Sequence, residues 1–320
     1  MKVTIKEIAA DAGVSVSTVS RVISNNPRIS EETKKRVNES IQRLNYKPNI
    51  IARGLVNKKT KILGVVMPKG AVKTFSSPFF IDLMEGISIK SKEENYYIMY
   101  DFTKDKSDEF LAVKKFVESG LVDGICLLST TTNDKSVNYL KNINFPFVII
   151  GEPEEKENTF WVDNNNEKAT FDLVEKFQSS EKIAFIGAEP ELIFTKNRVK
   201  GFVKGCEHNN ILGKVFMGEK FSKEEGFNLS EKIIENENYR NIIVLENELL
   251  EGVLEFLEKK SIFDVKIYSF NKITLKNIWE NKVFTIDTNP KNLGYKGIEL
   301  LIKKVNNSLD VSHNIINIEI

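Results

Sequence analysis

Residues 3–23 read Val3-Thr4-Ile5-Lys6-Glu7-Ile8-Ala9-Ala10-Asp11-Ala12-Gly13-Val14-Ser15-Val16-Ser17-Thr18-Val19-Ser20-Arg21-Val22-Ile23, and they decide the fold of the N-terminal part of the chain. Thr4 and Glu7 form a capping box, the signature of a helix start. Apolar residues then recur at helical spacing until Gly13, which tolerates the left-handed conformation that ends a helix. Ser15 is the expected cap of a second helix, with an apolar inner stripe of Val19, Val22 and Ile23.

A third helix follows a clear break. Asn25-Asn26-Pro27 ends the second helix, and Ser30-Glu31-Glu32 begins the third, with acids where the helix dipole favours them. Two short helices joined by a tight glycine turn and supported by a third indicate an all-α helix-turn-helix head, whose second helix fits the major groove of DNA. Its outer face carries Ser17, Thr18, Ser20 and Arg21. Any small three-helix bundle would also fit these helices.

The net charge of +1 conceals an uneven distribution. Residues 1–61 contain thirteen basic and five acidic side chains, whereas the other 259 residues contain 33 and 40. The head therefore carries +8 and the rest of the chain −7, which indicates a basic module that meets a polyanion. Charge alone does not distinguish nucleic acid from an anionic membrane. The short hydroxyls and the single arginine, which can pair bidentately with guanine, favour DNA.

The head resembles the lactose-repressor (LacI/GalR) family of bacterial transcription regulators. The resemblance rests on the stretches Val3–Ala9 and Ala12–Val22 and on Leu44-Asn45-Tyr46-Lys47-Pro48-Asn49 followed by Ala52-Arg53-Gly54-Leu55. It implies that Val16, Ser17 and Arg21 read bases. The phosphate contacts implied in the same way are Ser15, Thr18, Ser20 and Asn25. The complete predicted DNA-binding set also includes Thr4, Asn49, Ala52, Arg53 and Leu55.

Residues 48–60 are expected to form a hinge. Pro48 ends the third helix, and Asn49 can cap a short helix that is too short to be stable alone in water. The resemblance implies that Leu55 enters the minor groove as an apolar wedge when two copies meet on DNA. Gly54 opposes helix formation by roughly 1 kcal/mol relative to Ala. A plain flexible basic linker is the alternative.

The remainder of the chain alternates short apolar runs with amphipathic stretches, which indicates βαβ units and parallel sheets. The predicted strands are Ile62–Met67, Tyr96–Tyr100, Gly124–Leu128, Phe147–Ile150, Lys182–Ile186, Asn241–Leu245 and Val265–Phe270. The predicted helices are Pro78–Glu94, Glu109–Glu118, Glu167–Phe177, Thr195–Asn209, Glu224–Asn236 and Leu249–Lys259. These are too many strands for one sheet of ordinary size. We therefore predict a head at 1–47 and a two-lobed α/β domain at 61–320, with lobe 1 at about 61–161 plus 290–320 and lobe 2 at about 162–289.

Polar side chains follow several predicted strands, where ligands of open α/β sheets bind. They are Asp163, Arg198, Glu246, Asn247 and Asn271. Carboxylate and guanidinium groups can each engage two neighbouring hydroxyls, and aromatic rings can cover a pyranose. The nearest aromatic residues are Phe79, Phe80, Trp161 and Phe270. This set predicts a cleft for a neutral sugar, although core packing and a structural Asp163–Arg198 ion pair are alternatives.

The body also resembles the effector domain of the same family, which has a periplasmic-binding-protein-like fold. The matching stretches are Val162-Asp163-Asn164, Ile183–Gly187, Arg198–Phe202 and Leu293-Gly294. Within the family, Ser76–Phe80, Phe194–Arg198 and Ser269–Asn271 are similar to the maltose-operon repressors. Two aspartates common in the family are replaced here, one by Glu246 followed by Asn247 and one by Asn271, and these changes alter sugar selectivity.

These features together predict a dimeric, sequence-specific transcription repressor of carbohydrate-utilisation genes. It would bind a pseudopalindromic operator and respond to a sugar effector, with maltose or maltodextrin favoured. No catalytic residue, metal or cofactor is expected. The rival hypotheses are an α/β sugar- or nucleotide-processing enzyme and a purely structural DNA-binding protein. Against the enzyme, the chain has no phosphate-binding glycine motif and no recognisable site around His208 or His313.

Composition points to the cytoplasm and away from a membrane. No run of 18 apolar residues exists, and the N-terminus lacks the apolar region of a signal peptide. Cys126 and Cys206 are too few and too far apart in sequence for a disulfide scaffold, so both are expected to be small buried hydrophobic residues.

Overall fold

The computed structural model describes residues 3–23, 26–46, 59–68, 78–128, 130–271, 277–308 and 312–318. The chain divides into two units, Met1–Thr60 and Lys61–Ile320, which we call the head and the effector unit. In the described part of the chain, no helix is both long and apolar enough to cross a membrane.

The head contains three helices, α1 (Ile5–Asp11), α2 (Val16–Ile23) and α3 (Glu31–Arg43). Their apolar stripes meet in one core, in which Ile8, Val19 and Val37 are fully buried. Ser30 caps α3 by accepting a hydrogen bond from the Thr33 amide. These helices confirm the predicted helix-turn-helix, and the positive φ of Gly13 explains the turn after α1.

The first sheet of the effector unit is parallel and has the strand order β11-β5-β4-β3-β1-β2. Its strands are β1 (Ile62–Met67), β2 (Tyr97–Phe102), β3 (Gly124–Leu127), β4 (Phe147–Ile150), β5 (Trp161–Asn164) and β11 (His313–Ile316). The helices that belong to this sheet are α4 (Pro78–Glu93), α5 (Lys106–Ser119), α6 (Lys135–Asn142) and α11 (Pro290–Val305). We call this sheet and its helices lobe 1.

The second sheet is also parallel and has the strand order β10-β9-β8-β6-β7. Its strands are β6 (Lys182–Ala188), β7 (Leu212–Gly218), β8 (Asn241–Val244), β9 (Lys266–Phe270) and β10 (Val283–Ile286). Its helices are α7 (Asn166–Val174), α8 (Ile193–Asn209), α9 (Lys223–Glu231) and α10 (Asn247–Lys260). The predicted helix Glu224–Asn236 is corrected, because its last turn, Lys232–Asn236, is π-helical. We call this sheet and its helices lobe 2.

Glycine allows the closest helix packing in both lobes. A Cβ at Gly86 of α4 would overlap the backbone carbonyl of Lys291 in α11, and a Cβ at Gly226 of α9 would overlap that of Leu249 in α10. Only a residue without a side chain permits this approach. The tight packing keeps the strand ends of each lobe in a fixed arrangement.

Asn164 joins the three chain segments that pass between the lobes. It ends β5, and its side-chain amide donates hydrogen bonds to the carbonyl oxygens of Thr288 at 3.1 Å and Ile316 at 3.0 Å. Ile316 ends β11, while Ile318 already packs against the core of lobe 2. The crossing point is therefore held by one buried amide.

Candidate functional site

The exposed face of α2 carries the side chains that the sequence predicts to contact DNA. Val16 is 41% exposed, and Ser17 and Arg21 are also exposed. The Ser15 hydroxyl accepts a hydrogen bond from the Thr18 amide at 3.1 Å and lies 2.9 Å from the Thr18 hydroxyl. Ser20 is half-buried on the same helix. The cap orients the first turn of α2 and leaves its outer face accessible.

The start of α1 is stabilised by Glu7, whose carboxylate accepts hydrogen bonds from the Thr4 amide at 2.7 Å and the Thr4 hydroxyl at 2.9 Å. These hydrogen bonds lower the pKa of Glu7. The other predicted DNA-binding residues lie outside the described residues, namely Asn25, Asn49, Ala52, Arg53 and Leu55.

Asp11 connects α1 to α3. Its carboxylate accepts hydrogen bonds from Arg43 and from the buried hydroxyl of Ser40. The Arg43 contact, followed by that of Ser40, holds the pKa of Asp11 below its usual value. Sequence reasoning did not identify this contact, which fixes the helix that supports α2.

A cleft of about 1290 Å³ lies between the two lobes of the effector unit. It is lined by residues at the carboxyl ends of strands from both sheets, where α/β proteins bind their ligands. The predicted effector residues that line it are Phe79, Phe80, Asp163, Arg198, Glu246, Asn247 and Asn271. The structure therefore brings together side chains that are almost 200 positions apart in sequence.

Asp163 lies at the base of the cleft and is 6% exposed. Its carboxylate accepts hydrogen bonds from the amides of Asn164 at 2.7 Å and Glu152 at 2.9 Å, and from the side chain of Asn166 at 3.1 Å. Burial raises the pKa of Asp163 to about 7, and the amide hydrogen bonds and Arg198 only partly oppose this rise. The group therefore retains acceptor capacity in a nearly dry environment.

Arg198 of α8 is 5% exposed, and the side chain of Asn166 connects it to Asp163. Its Nε donates to the Asn166 side-chain oxygen at 2.8 Å, and its Nη1 donates to the Leu245 carbonyl at 3.1 Å. Its guanidinium lies 3.8 Å from the ring centroid of Phe270. Burial lowers the pKa of Arg198 to about 10, although Glu246 and Asp163 favour its charged form.

Glu246 and Asn271 complete the base of the cleft. Burial raises the pKa of Glu246 to about 7, against the attraction of Arg198. Asn271 follows β9 with a φ of 72°, and its side-chain oxygen accepts a hydrogen bond from the Thr288 hydroxyl. Asn tolerates this left-handed conformation better than most residues do. Asn271 therefore also touches the segment that returns to lobe 1.

Aromatic rings line both walls of the cleft. Phe79 and Phe80 of lobe 1 pack edge to face, with centroids 5.0 Å apart. Phe194 and Phe221 of lobe 2 stack at 6.1 Å with an interplanar angle of 18°. Phe221 was not identified from the sequence, because it follows β7, a strand that the sequence pattern did not reveal.

Two predicted effector residues lie elsewhere, and this part of the prediction is corrected. Trp161 begins β5, two residues or roughly 7 Å before Asp163. It packs in the core of lobe 1, where His313 stacks on its ring at 5.0 Å. Phe270 is fully buried beneath the Arg198 guanidinium and supports that side chain without lining the cleft.

Sequence reasoning also missed the residues that connect the cleft. Asn166 bridges Asp163 and Arg198, and the run Asn164-Asn165-Asn166 after a strand could have indicated it. The Glu152 carboxylate of lobe 1 accepts a hydrogen bond from Asn197 of lobe 2 at 2.6 Å. No local pattern predicts that contact, since it depends on how the lobes meet.

Within the described ranges, no group of three or more His, Cys, Asp or Glu side chains is arranged to hold a metal ion. Cys126 and Cys206 are both buried free thiols, and burial raises the pKa of Cys206 to about 11.

Comparisons with known proteins agree with this architecture. The model of the bacterial regulatory proteins of the lacI family matches residues 4–49. The HTH-type transcriptional regulator MalR of Streptococcus pneumoniae serotype 4 is 33% identical over 314 residues, which cover 96% of this chain and 94% of that protein.

Among solved structures, a putative transcriptional regulator LacI from Bacillus cereus subsp. cytotoxis is 32% identical, with a TM-score of 0.74 over 81% of this chain and 94% of that one. The Lac repressor dimer bound to operator and the anti-inducer ONPF has a TM-score of 0.80 over 100% of this chain and 97% of its own, and its 16% identity shows a shared fold alone. The identity to MalR over nearly the whole chain shows that this protein belongs to the lacI family of bacterial regulatory proteins and is a DNA-binding transcriptional regulator, not an enzyme.

Proposed function

We propose that the chain is a homodimeric repressor of carbohydrate-utilisation genes whose DNA binding is controlled by a neutral sugar in the cleft. The observation that carries this proposal is the connected group of Asp163, Asn166 and Arg198, which lies between aromatic pairs on the two walls. A sugar offers neighbouring hydroxyls that donate and accept hydrogen bonds, together with C–H faces that pack on rings. This cleft offers complementary groups of both kinds.

Each polar group at the base has a defined role in this proposal. Asp163 accepts a hydrogen bond from a sugar hydroxyl, and the remaining guanidinium N–H groups of Arg198 donate to the neighbouring hydroxyl. Glu246, Asn247 and Asn271 contribute further acceptors and donors from lobe 2. Asp163 and Arg198 are almost inaccessible to water. A sugar whose hydroxyls do not pair with both groups therefore binds more weakly, and this difference in affinity selects among sugars.

Maltose or a maltodextrin is the favoured sugar. The relative named MalR is 33% identical, and Pro78-Phe79-Phe80 and Phe194–Arg198 belong to the motifs that resemble maltose-operon repressors. The cleft volume of about 1290 Å³ exceeds the roughly 300–1,000 Å³ of pockets for drug-sized ligands, which leaves room for more than one hexose. The replacements at Glu246 and Asn271 bear on which sugar is preferred.

Control of DNA binding follows from the connection between the lobes. Glu152 and Asn197 join the lobes beside the cleft, while Asn164 holds the crossing segments. A sugar that binds one arrangement of the lobes more tightly shifts the equilibrium toward it, with a coupling of typically about 1–3 kcal/mol. In our proposal this shift reaches residues 48–60, so that Leu55 enters or leaves the minor groove.

The head then reads the operator in the cytoplasm, where the chromosome lies. We propose that Val16, Ser17 and Arg21 contact bases and that Ser15, Thr18 and Ser20 contact phosphates, with one head on each half of a pseudopalindrome. Thr4, Asn25, Asn49, Ala52 and Arg53 complete the proposed DNA contacts.

A thermal-shift screen followed by DNA binding tests this function. Purified full-length protein is screened with maltose, maltotriose, cellobiose and glucose, and its preferred duplex is selected from a random-sequence library. We expect one sugar to raise the melting temperature and to change the affinity for that duplex by at least about fivefold, as the coupling energy implies. A protein that binds the duplex equally with and without every sugar would contradict the proposal.

A further inference from the structure

We propose that the cleft recognises its sugar only before phosphorylation, so that a sugar kinase ends the signal. This inference rests on the proposed function and adds to it the exclusion of the phosphorylated form of the same sugar. The kinase transfers the terminal phosphoryl group of a nucleoside triphosphate to a sugar hydroxyl, which releases a nucleoside diphosphate and the hydroxyl proton. The product carries about two negative charges at neutral pH.

The charge of the cleft lining opposes such an anion. Among its described residues, twelve carry carboxyl groups and five carry a cation. The carboxyl groups belong to Asp105, Glu109, Glu152, Asp163, Glu189, Glu191, Glu219, Glu246, Glu248, Glu251, Glu255 and Glu258. Clefts lined by one sign of charge between low-dielectric walls concentrate the field, so an anion meets repulsion before it reaches any specific contact.

The base of the cleft has one cation beside two carboxyl groups. Arg198 is the only cation there among the described lining residues, and it already donates to Asn166 and Leu245. Asp163 and Glu246 both favour its charged form. A phosphate that approached the guanidinium would therefore lie beside two carboxyl groups in a poorly screened environment.

Two of the other four cations are held by carboxylates. Lys106 lies between the buried carboxylates of Glu109 at 2.8 Å and Asp134 at 3.2 Å, and Lys223 pairs with Glu255 at 2.5 Å. The remaining two, Lys104 and Lys220, are exposed at the rim. Salt screens exposed lysines and exposed carboxylates alike, and the exposed carboxylates of the lining outnumber these two lysines.

Helix N-termini, which also face the cleft, attract anions in many α/β proteins. Here three are capped by side chains, whereas α8 and α10 begin without a side-chain cap. Asp105 caps α5, Asn165 caps α7 and Ser222 caps α9. Four exposed lining carboxylates cap no helix, and among them are Glu219 after β7 and Glu251 in α10. We therefore assign Glu219 and Glu251 as specificity-determining residues that exclude anionic sugars.

The test compares three matched pairs by titration calorimetry with the full chain. The probes are maltose, cellobiose and glucose, each beside its 6-phosphate (6′-phosphate for the disaccharides). We expect at least one neutral sugar to bind and its phosphate to bind at least about a hundredfold more weakly at pH 7.5.

Charge reversal at the rim tests the assigned residues. The double variant Glu219→Lys/Glu251→Lys should narrow the affinity ratio of sugar to sugar phosphate by about tenfold. The matched control, Glu207→Lys, changes an exposed glutamate of α8 outside the cleft lining and should leave the ratio unchanged.

The outcomes separate this inference from the proposed function. A sugar phosphate that binds as tightly as its neutral partner overturns the inference and leaves a regulator controlled by a neutral sugar. A sugar phosphate that binds when its neutral partner does not contradicts both the inference and the proposed function. An unchanged ratio in the double variant overturns the assignment of Glu219 and Glu251. If none of the six compounds binds, both the proposed function and the inference are contradicted.

Discussion

The proposed base-reading surface and the cleft are built in opposite ways. In the head, the described candidate contacts of α2 come from seven consecutive residues, Ser15–Arg21, and most of them are exposed. In the cleft, residues from Phe79 to Asn271 converge from strand ends and helices of both sheets, and the central charged groups are nearly inaccessible to water. A surface made from one helix follows from local periodicity, whereas a cleft made from many strand ends follows from topology.

This difference also determines how costly each side chain is to change. An exposed group on α2 is already in contact with water, which can solvate the groups around it after its removal. Removal of a charged group at the base of the cleft leaves its neighbours without a partner in a dry environment, which is far more unfavourable. We therefore expect the largest mutational effects in the cleft and the smallest at the helix cap of the head.

The variant Arg198→Ala should have the largest effect. It removes two hydrogen bonds and leaves Asp163 and Glu246 without their buried cation. Truncation of one partner in a buried charged network costs roughly 2–5 kcal/mol. We expect at least about a thirtyfold loss of affinity for the sugar identified by the screen, measured by calorimetry.

The matched control for this variant is Arg240→Ala, because Arg240 forms an exposed pair with Asp264 at 3.0 Å in the same unit. Its sugar affinity should not change. If Arg198→Ala bound sugar as the parent does, the cleft would not be the effector site.

The pH dependence of stability provides the second test. Burial raises the pKa of Asp163 to about 7, while an unfolded aspartate titrates near pH 4. Between these values the folded chain retains a proton that the unfolded chain has released, so the free energy of unfolding falls as pH rises from about 4 to 7. One such group contributes a slope of up to about 1.4 kcal/mol per pH unit.

Asp163→Asn cannot titrate, so its stability should depend less steeply on pH in this window, measured by urea unfolding from pH 5 to 7.5. Asp172→Asn is the control, since Asp172 forms an ion pair with Lys168 on the outside of α7, and its slope should match the parent. Equal slopes in parent and Asp163→Asn would show that Asp163 ionises in the folded chain as it does in water.

Arg21→Ala tests the exposed surface of the head. One bidentate arginine–guanine pair contributes roughly 1–3 kcal/mol of discrimination. We expect about a tenfold to hundredfold loss of preference at one base pair of each half-site, measured by selection from a random-sequence library. Sugar affinity should be unchanged. If Arg21→Ala kept the full base preference of the parent, Arg21 would not be a base-reading residue.

Ser15→Ala should have the smallest effect. It removes the acceptor of the Thr18 amide, and loss of such a cap typically costs about 1 kcal/mol. Hydrogen exchange of the α2 amides should become about fivefold faster. Ser15→Asp should restore the protection because Asp is also a good cap, while its negative charge should weaken DNA binding. If the α2 amides exchanged faster in both variants, the effect of Ser15 on exchange would not come from its capping hydrogen bond.

All the central strands of both sheets except β5 were predicted from the sequence, and three of the four edge strands were not. Buried strands such as Ile62–Met67 and Asn241–Val244 are continuous apolar runs. The edge strands β7, β10 and β11 expose part of their length, as the exposed Leu212 and Phe284 illustrate, and their patterns resemble loops. Phe221 was missed for the same reason, because it follows one of these edges.

The family membership, which the resemblance of the sequence motifs already indicated, is confirmed by the identity to MalR. The helices of the head were also determined by the sequence alone, since capping and apolar spacing act within a few residues. Only the tertiary structure decided that Asn166 bridges Asp163 and Arg198, that Trp161 lies in a core, and that Glu152 meets Asn197 across the lobes. The physical reason is that these contacts depend on strand order and on the depth of each residue along its strand, which no local pattern encodes.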